Sequence, residues 1–465
     1  MRVCLLNDSF PPVIDGVANV VVNYARQLTE RHGDQVVVGT PKYPGADYGE
    51  YPYAVLPYRS FDTTALFSGY RTGNPFSARY LTQLRRFRPE IIHTHCPAAS
   101  TILARLLREE TDAPVVFTYH TKYDVDIARV LKVKLAAREA IRSMVQAVEA
   151  CDEVWTVSRG AGENLAALGY EGDWRVMPNG VDFDRGRVDA KAVARVTAGY
   201  DLPGGVPVYL FVGRLMTYKG LPLLLEALGK LHAQGRDFRM VFIGKGPDRE
   251  LLERQAEAAG LGGKVIFTGP IYDREALRAW NTRADLFLFP STFDTNGLVV
   301  REAAACGLGS VLIRGSCAAE GIVHGQNGFT VEETPEALAD LLREVGTDLP
   351  RLRAVGERAM AEIYLSWGDC VTAARERYVC ILEEKKAGRY SEKKKLPADY
   401  LLSLAARSLE ERSRRQEAWA ALTESFRETA VGMMENFQEA EENAQSRRRN
   451  LRDQLRKDLD ELRRR

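Results

Sequence analysis

What the sequence lacks narrows it first. No stretch approaches the roughly 20 consecutive apolar residues of a membrane-spanning helix, so no segment reads as a span. The apolar run at Met1–Leu6 is too short for a signal peptide and reads as a first strand. Charge of one sign is missing as well. The 64 Lys and Arg residues against 63 Asp and Glu leave a net charge of +1, which excludes the broad basic footprint of a nucleic-acid-binding protein. Seven cysteines (Cys4, Cys96, Cys151, Cys306, Cys317, Cys370, Cys380) form no Cys-x-x-Cys pair and no zinc spacing. They read as buried, reduced thiols of a cytoplasmic protein. No short-period repeat is present, so solenoids and propellers drop out.

What is present is a chain of 465 residues, too long for one ordinary domain. Near-continuous runs of Val, Ile and Phe alternate with helical stretches. They are Arg2–Asn7, Gln35–Gly39, Glu90–His93, Pro114–Tyr119 and Glu153–Ser158, then Pro207–Gly213, Arg239–Gly244, Lys264–Gly269, Asp285–Pro290 and Ser310–Ile313. Unbroken apolar runs suit strands covered on both faces, and strand–helix alternation implies parallel sheets with right-handed crossovers. Ten units in two groups predict two doubly wound, Rossmann-like α/β domains rather than one large sheet. The break falls near Met177-Pro178-Asn179-Gly180. The expected domains are residues 1–178, completed by about 365–384 crossing back, and residues 179–364.

Beyond about Glu384 the character changes. Residues 385–395 hold six basic side chains against one acid, Glu392. Charged helical stretches follow, with narrow stripes at Trp419, Leu422, Phe426 and at Leu451, Leu455, Leu459, Leu462. Spacings of three and four predict a helical hairpin or coiled coil over the rest of 385–465.

In doubly wound sheets ligands sit outside the carboxyl ends of strands, and five such ends carry suggestive residues. After the first strand, Asp15-Gly16-Val17 opens an apolar helix, where Gly16 lets a ligand approach free backbone N–H groups; a plain loop glycine is the bland alternative. His120 ends the fourth run and is suited to a sugar hydroxyl or a proton. His93 and His95 read as structural or pocket-lining. Arg214 and Lys219 follow Val212-Gly213 as cations that either reach solvent or meet an anion, and Lys219 is expected to be exposed. Gly244-Lys245-Gly246-Pro247 is too short for a dinucleotide fingerprint. Finally Asp294, Asn296 and Gly297 lead into the helix from Leu298 that contains Glu302. There the two acids can accept paired sugar hydroxyls while the helix N-terminus receives phosphate; a helix cap and a surface glutamate are their bland alternatives.

Together these stretches resemble the retaining, nucleotide-sugar-dependent glycosyltransferases of family four, with the GT-B fold. The likeness covers about residues 1–384. Asp15-Gly16-Val17 is similar to the family's glycine loop, Thr118-Tyr119-His120-Thr121 to its histidine segment, and Met177–Asp182 to its interdomain signature. Gly213–Gly220 resembles the segment whose Arg and Lys hold the donor diphosphate, and Asp294-x7-Glu302 the paired-acid motif, usually Glu-x7-Glu. The resemblance implies two domains facing across a cleft and transfer of a hexose without an obligatory metal or other cofactor. It implies that Arg214 and Lys219 stabilise the leaving diphosphate, that Glu302 binds the ribose and Asp294 the transferred sugar, and that His120 meets the sugar's far hydroxyl. Gly16, Asn296, Gly297 and Leu298 are implied to line the donor seat. Asp294 in place of Glu, and Asn296 where an aromatic or small residue is common, leave the donor sugar open.

The segment 118–123 further resembles that of bacterial diacylglycerol glucosyltransferases, which implies a UDP-glucose donor, although the residues themselves do not choose between UDP and GDP. The next stretch, with Arg129, Lys132, Lys134, Arg138 and Arg142 among apolar residues, suits docking on anionic lipid; a solvated helix face is its alternative. A membrane-lipid acceptor at the inner face of the cell membrane is therefore expected, with self-association through the C-terminal helices. A soluble sugar, a polysaccharide precursor, or a non-catalytic nucleotide-sugar-binding scaffold are the competing readings.

Overall fold

The computed structural model describes residues 1–13, 15–64, 70–124, 127 and 134–390, together with Leu404, Ser408, Glu411 and Arg415. The chain divides into two units, Met1–Ser403 and Leu404–Arg465. In the second, the four described positions are helical and exposed, and the expected Trp419 and Leu451 stripes lie outside the described residues. The basic joint beyond Tyr390 and two of the five bases of the expected docking helix, Arg129 and Lys132, lie outside them too.

The first unit holds two parallel sheets, as the GT-B fold requires. The N-terminal sheet has seven strands in the spatial order Ala54–Tyr58, Gln35–Pro41, Arg2–Leu6, Ile91–Thr94, Val115–Tyr119, Glu153–Thr156 and Arg175–Val176. The second has six, in the order Val265–Gly269, Arg239–Ile243, Val208–Val212, Leu286–Phe289, Ser310–Ile313 and Phe329–Val331. Order reverses beside Arg2–Leu6 in one sheet and beside Val208–Val212 in the other, so the switch points lie at the ends of those strands.

Ten of these strands match the apolar runs, and three escaped the pattern. Ala54–Tyr58 contains Pro57 and takes an outer position, where a residue without an N–H is tolerated. Arg175–Val176 and Phe329–Val331 have only two and three residues, too short to show periodicity, and both also lie at sheet edges.

Helix placement follows the buried stripe. In Gly16–Glu30 the residues Val20, Val21, Tyr24, Ala25 and Leu28 face the core, at the spacings of three and four that make one helical face. The last described helix, Trp367–Lys386, returns to the N-terminal sheet and packs on Gly16–Glu30. Its Tyr378 ring stacks on Trp155 at 5.3 Å. Its Arg375 reaches Asp34, a fully buried carboxylate that also holds the chain's own amino terminus at 2.7 Å. With Arg375 30% exposed and the amino terminus left as a second partner, stripping Arg375 costs about 1–2 kcal/mol, enough to make this return a structural tie. Arg377 bridges Glu153 and Glu384, Tyr390 donates to Glu384 at 2.9 Å, and Lys385 pairs with Asp112 at 3.0 Å. Residues 384–390 are therefore packed against the N-terminal sheet's layer.

The Met177–Asp182 segment passes under this return. A Cβ on Gly180 would lie 2.5–2.6 Å from the backbone of Ser366 and Trp367, so only glycine fits where the two crossing chains touch. Val181 donates to Leu365 at 2.9 Å, which ties the crossing strands together.

Candidate active site

The two sheets present their carboxyl ends to each other, and polar contacts bridge them. Lys122, after Val115–Tyr119, donates to the Thr292 carbonyl at 3.2 Å. Thr295 Oγ1 donates to the His120 carbonyl at 2.5 Å. Farther along, Glu320 accepts from the backbone N–H groups of Arg159 and Gly160 at 2.8 and 2.7 Å, so a carboxylate from one domain caps a helix of the other.

The strand Val208–Val212 ends at Gly213, and its sheet neighbour Arg239–Ile243 supplies the loop beside it: Leu215 donates to the Lys245 carbonyl at 3.0 Å. A single 3-10 turn, Thr217–Lys219, then delivers Lys219 and closes on Gly220, whose φ is 75°. A Cβ at Gly220 would meet the Pro290 carbonyl oxygen at 2.5 Å. That close approach brings the turn against the end of Leu286–Phe289, and with it Lys219 against Asp294.

Lys219 is buried, not exposed as the sequence suggested. Burial is tolerable because its ammonium meets both Asp294 oxygens, at 2.6 and 2.8 Å, and lies 5.7 Å from the Phe289 ring. The Ser291 hydroxyl also donates to Asp294. Arg214 is exposed and has no ion-pair or hydrogen-bond partner among the described residues; the Tyr70 phenol lies within electrostatic reach of it. The two cations thus differ: one is committed to a carboxylate, the other open.

Glu302 sits in the helix Leu298–Ala305, just over one turn from its start. Burial pushes its carboxyl pKa up, and Arg274 opposes the shift by donating to Oε1 at 2.7 Å. Gly297 caps this helix at φ 58°. The amide nitrogen of Asn296 is inaccessible and unpartnered among the described residues. Gly16 begins its helix as expected, with nothing within 4 Å of where a Cβ would stand. Its N-terminus is not wholly free, however, because the Asp15 side chain caps it by accepting from Ala18 at 2.7 Å.

His120 is buried, and burial pushes its pKa down to about 3, so its ring is neutral at ordinary pH. Its Nε2 bonds His95 Nδ1 at 3.0 Å, with the rings stacked at 5.2 Å. His95 in turn lies 4.0 Å from the His93 ring, and His93 bonds Tyr378 at 2.6 Å and Thr118 at 2.7 Å. His95 is therefore more than pocket lining: it occupies His120 Nε2, while His120 Nδ1 has no partner among the described residues. Sequence reasoning missed this pairing, and also missed Arg274. The one available signal was that His93, His95 and His120 all end neighbouring strands.

Two family models match the chain: glycosyltransferase family 4 over residues 14–185 and glycosyl transferases group 1 over residues 197–361. Among curated relatives, the GDP-mannose-dependent alpha-(1-6)-phosphatidylinositol monomannoside mannosyltransferase of Mycolicibacterium smegmatis is 28% identical over 382 residues, covering 76% of this chain and 91% of that protein. The alpha-monoglucosyldiacylglycerol synthase of Acholeplasma laidlawii is 24% identical over 359 residues, covering 74% and 87%. Among solved structures, Anabaena HepE in complex with UDP aligns with a TM-score of 0.65 at 17% identity, covering 82% of this chain and all of that one; at that identity the likeness speaks for the fold alone.

Proposed function

The chain belongs to glycosyltransferase family 4, the retaining, nucleotide-sugar-dependent hexosyltransferases of GT-B fold, and from that premise we propose that it transfers a hexose to a hydroxyl of a membrane lipid such as diacylglycerol. The Lys219–Asp294 pair carries the donor half of this reading. An ammonium has three donors; two go to Asp294, and the third is left for a phosphate oxygen of the donor. The pair so joins a carboxylate suited to sugar hydroxyls to a cation suited to diphosphate, across the bond that breaks. Arg214, exposed and open, adds a second cation for the departing diphosphate. Preorganised charge of this kind supplies about 3–4 kcal/mol of transition-state stabilisation per well-placed donor. Glu302 takes the ribose hydroxyls, and His120, neutral, offers Nδ1 to the far side of the sugar. Asn296, Gly297 and Leu298 line the same seat, and no metal is needed.

The lipid half rests on a surface. The helix Lys134–Glu149 exposes Lys134, Leu135, Arg138 and Arg142, and Leu135 is 70% exposed. Arg138 and Arg142 follow Leu135 at helical spacings that place all three on one side, an arrangement suited to an anionic bilayer surface. Both named relatives have a lipid in their names, a phosphatidylinositol monomannoside in one and a monoglucosyldiacylglycerol in the other. Together these favour a peripheral enzyme over one acting on a soluble glycan.

The test is incubation of the full chain with radiolabelled UDP- and GDP-sugars in the presence of a lipid extract. Label is expected in the organic phase. Label appearing only in water-soluble oligosaccharide would replace the lipid acceptor by a soluble one. Neither transfer nor hydrolysis from any donor would leave a nucleotide-sugar-binding scaffold.

A further inference from the structure

Arg274 was not among the residues that the motifs single out, yet it is the one cation that touches Glu302 among the described residues. It opens the helix Arg274–Arg283, just beyond the end of Val265–Gly269. Its guanidinium donates to Glu302 Oε1 at 2.7 Å and also to Asp182, while its face lies over the Phe183 ring at 4.3 Å. Asp182 and Phe183 belong to the crossing between the sheets, just after Gly180-Val181. Two carboxylates and an aromatic face thus hold one planar cation in a single orientation.

We propose that Arg274 is a positioning residue for the donor: it holds Glu302 ionised and aimed, with Oε1 engaged and Oε2 left to accept the ribose hydroxyls. The proposal rests on the assignment of Glu302 to the ribose. A carboxylate whose side chain is only 16% exposed does not stay charged without a partner, since burial favours the protonated form. A protonated carboxyl is also the poorer acceptor for a vicinal diol. Asp182, the other acid nearby, pushes Glu302 the same way as burial, so Arg274 works against both. The remaining charged or titratable groups around Glu302 do not replace it. Arg301, its neighbour in the helix, donates instead to the Ile363 carbonyl. Cys306, one turn on, is itself held protonated by burial and faces Arg278.

The experiment measures binding of UDP, GDP and their 2′,3′-dideoxy analogues by calorimetry between pH 6 and 9. The full-length chain is compared with Arg274→Met, Arg274→Lys and Asp182→Asn, with thermal melts alongside. The unsubstituted protein is expected to prefer the ribose form of one nucleotide about tenfold or more, with little dependence on pH. Arg274→Met should bind that nucleotide about tenfold more weakly at pH 7, recover as pH rises, and lose its preference for ribose over dideoxyribose. Arg274→Lys should restore much of both, and Asp182→Asn, which removes a charge favouring protonated Glu302 while keeping an oxygen to accept from Arg274, should bind and discriminate as the unsubstituted protein does. Arg274→Met with unchanged affinity and unchanged ribose preference overturns the proposal. So does a loss equal for ribose and dideoxyribose forms, which a merely structural residue produces. Should Arg274→Met melt too low to measure, Arg274→Gln, which keeps a donor without the charge, takes its place, and an unaltered affinity and ribose preference in it overturn the proposal. If the unsubstituted protein binds neither nucleotide, or binds ribose and dideoxyribose forms alike, the fault lies in the donor assignment and not in Arg274.

Discussion

Replacing Lys219 by alanine separates two effects that the Lys219–Asp294 pair fuses. For turnover, the lost ammonium removes one charged donor from the developing diphosphate. At about 3–4 kcal/mol per donor and about 1.36 kcal/mol per tenfold, transfer should fall by about a hundredfold or more. For stability, the sequence alone suggested almost no cost, because the lysine was expected at the surface. Its burial changes that. Truncating one member of a buried pair costs about 3–5 kcal/mol, and an exposed pair less than about 1. Here the Asp294 side chain is 25% exposed and keeps the Ser291 hydroxyl, so water can take over part of the lysine's role and about 1–2 kcal/mol is expected. The double variant Lys219→Ala, Asp294→Asn removes the stranded charge. Its stability should return to within about 0.5 kcal/mol of the parent while its turnover stays low. Urea unfolding and initial rates with the donor found by the radiolabel screen measure both. Near-normal turnover in Lys219→Ala refutes the clamp outright, and a stability loss without a rate loss makes the pair a structural one.

Among the described residues no three His, Cys, Asp or Glu gather to hold an ion, and transfer is expected to persist in excess EDTA; complete loss restored by manganese would point to a metal at one of the sequence's Asp-x-Asp pairs, Asp182 with Asp184 or Asp124 with Asp126. His93, His95 and His120 are all held neutral by burial. The unfolded chain takes up protons near pH 6.5 that the folded chain refuses down to about 3 at His120. The stability they contribute is therefore present above about pH 6.5 and lost below it, at up to about 1.4 kcal/mol per pH unit for each; an unchanged urea midpoint between pH 7.5 and 5.5 would contradict this. Gly220→Ala should lower both stability and turnover, because the Pro290 carbonyl leaves no room for a methyl group; an unaltered melt and rate would show that the turn gives way freely. We further expect residues 404–465 to mediate self-association or docking, and the basic joint to add membrane affinity. Truncation after Ser403 should leave nucleotide binding intact and lower the mass seen by light scattering, whereas a cut after Glu384 would strip Lys385 and Tyr390 from their partners. If the Ser403 truncation leaves the mass unaltered and substitution of Lys393, Lys394 and Lys395 leaves vesicle co-sedimentation unaltered, the interaction role for this region is lost.

Ten strands were legible because a strand buried on both faces must be apolar throughout, and that demand is local. The edge strands were not, since Pro57 and segments of two or three residues carry no such signature. The site residues were legible as types at strand ends, because a cation or carboxylate is costly there unless something meets it. What met them was not legible. Lys219 and Asp294 are 75 residues apart, Arg274 and Glu302 are 28 apart, and Arg274 and Asp182 are 92 apart. No periodicity links such positions; only the packing of separate strand ends does.

The same distinction bears on the chain's departure from Glu-x7-Glu. One methylene fewer at Asp294 shortens the reach of that carboxylate, which by sequence alone concerned only the identity of the sugar. In the folded chain the shortened side chain is also the partner of Lys219, so its length sets where the ammonium stands relative to the diphosphate. Asp294→Glu therefore tests two things at once. If the extra methylene changes only which sugar is transferred, the carboxylate acts on the sugar alone. If it lowers turnover with every sugar while nucleotide affinity also shifts, its length is matched to Lys219, and donor choice and leaving-group stabilisation are set by one contact. The bidentate geometry, with both oxygens within 2.8 Å of the ammonium, favours the second outcome, because a longer side chain cannot keep both contacts without moving the 3-10 turn that Gly220 pins against Pro290.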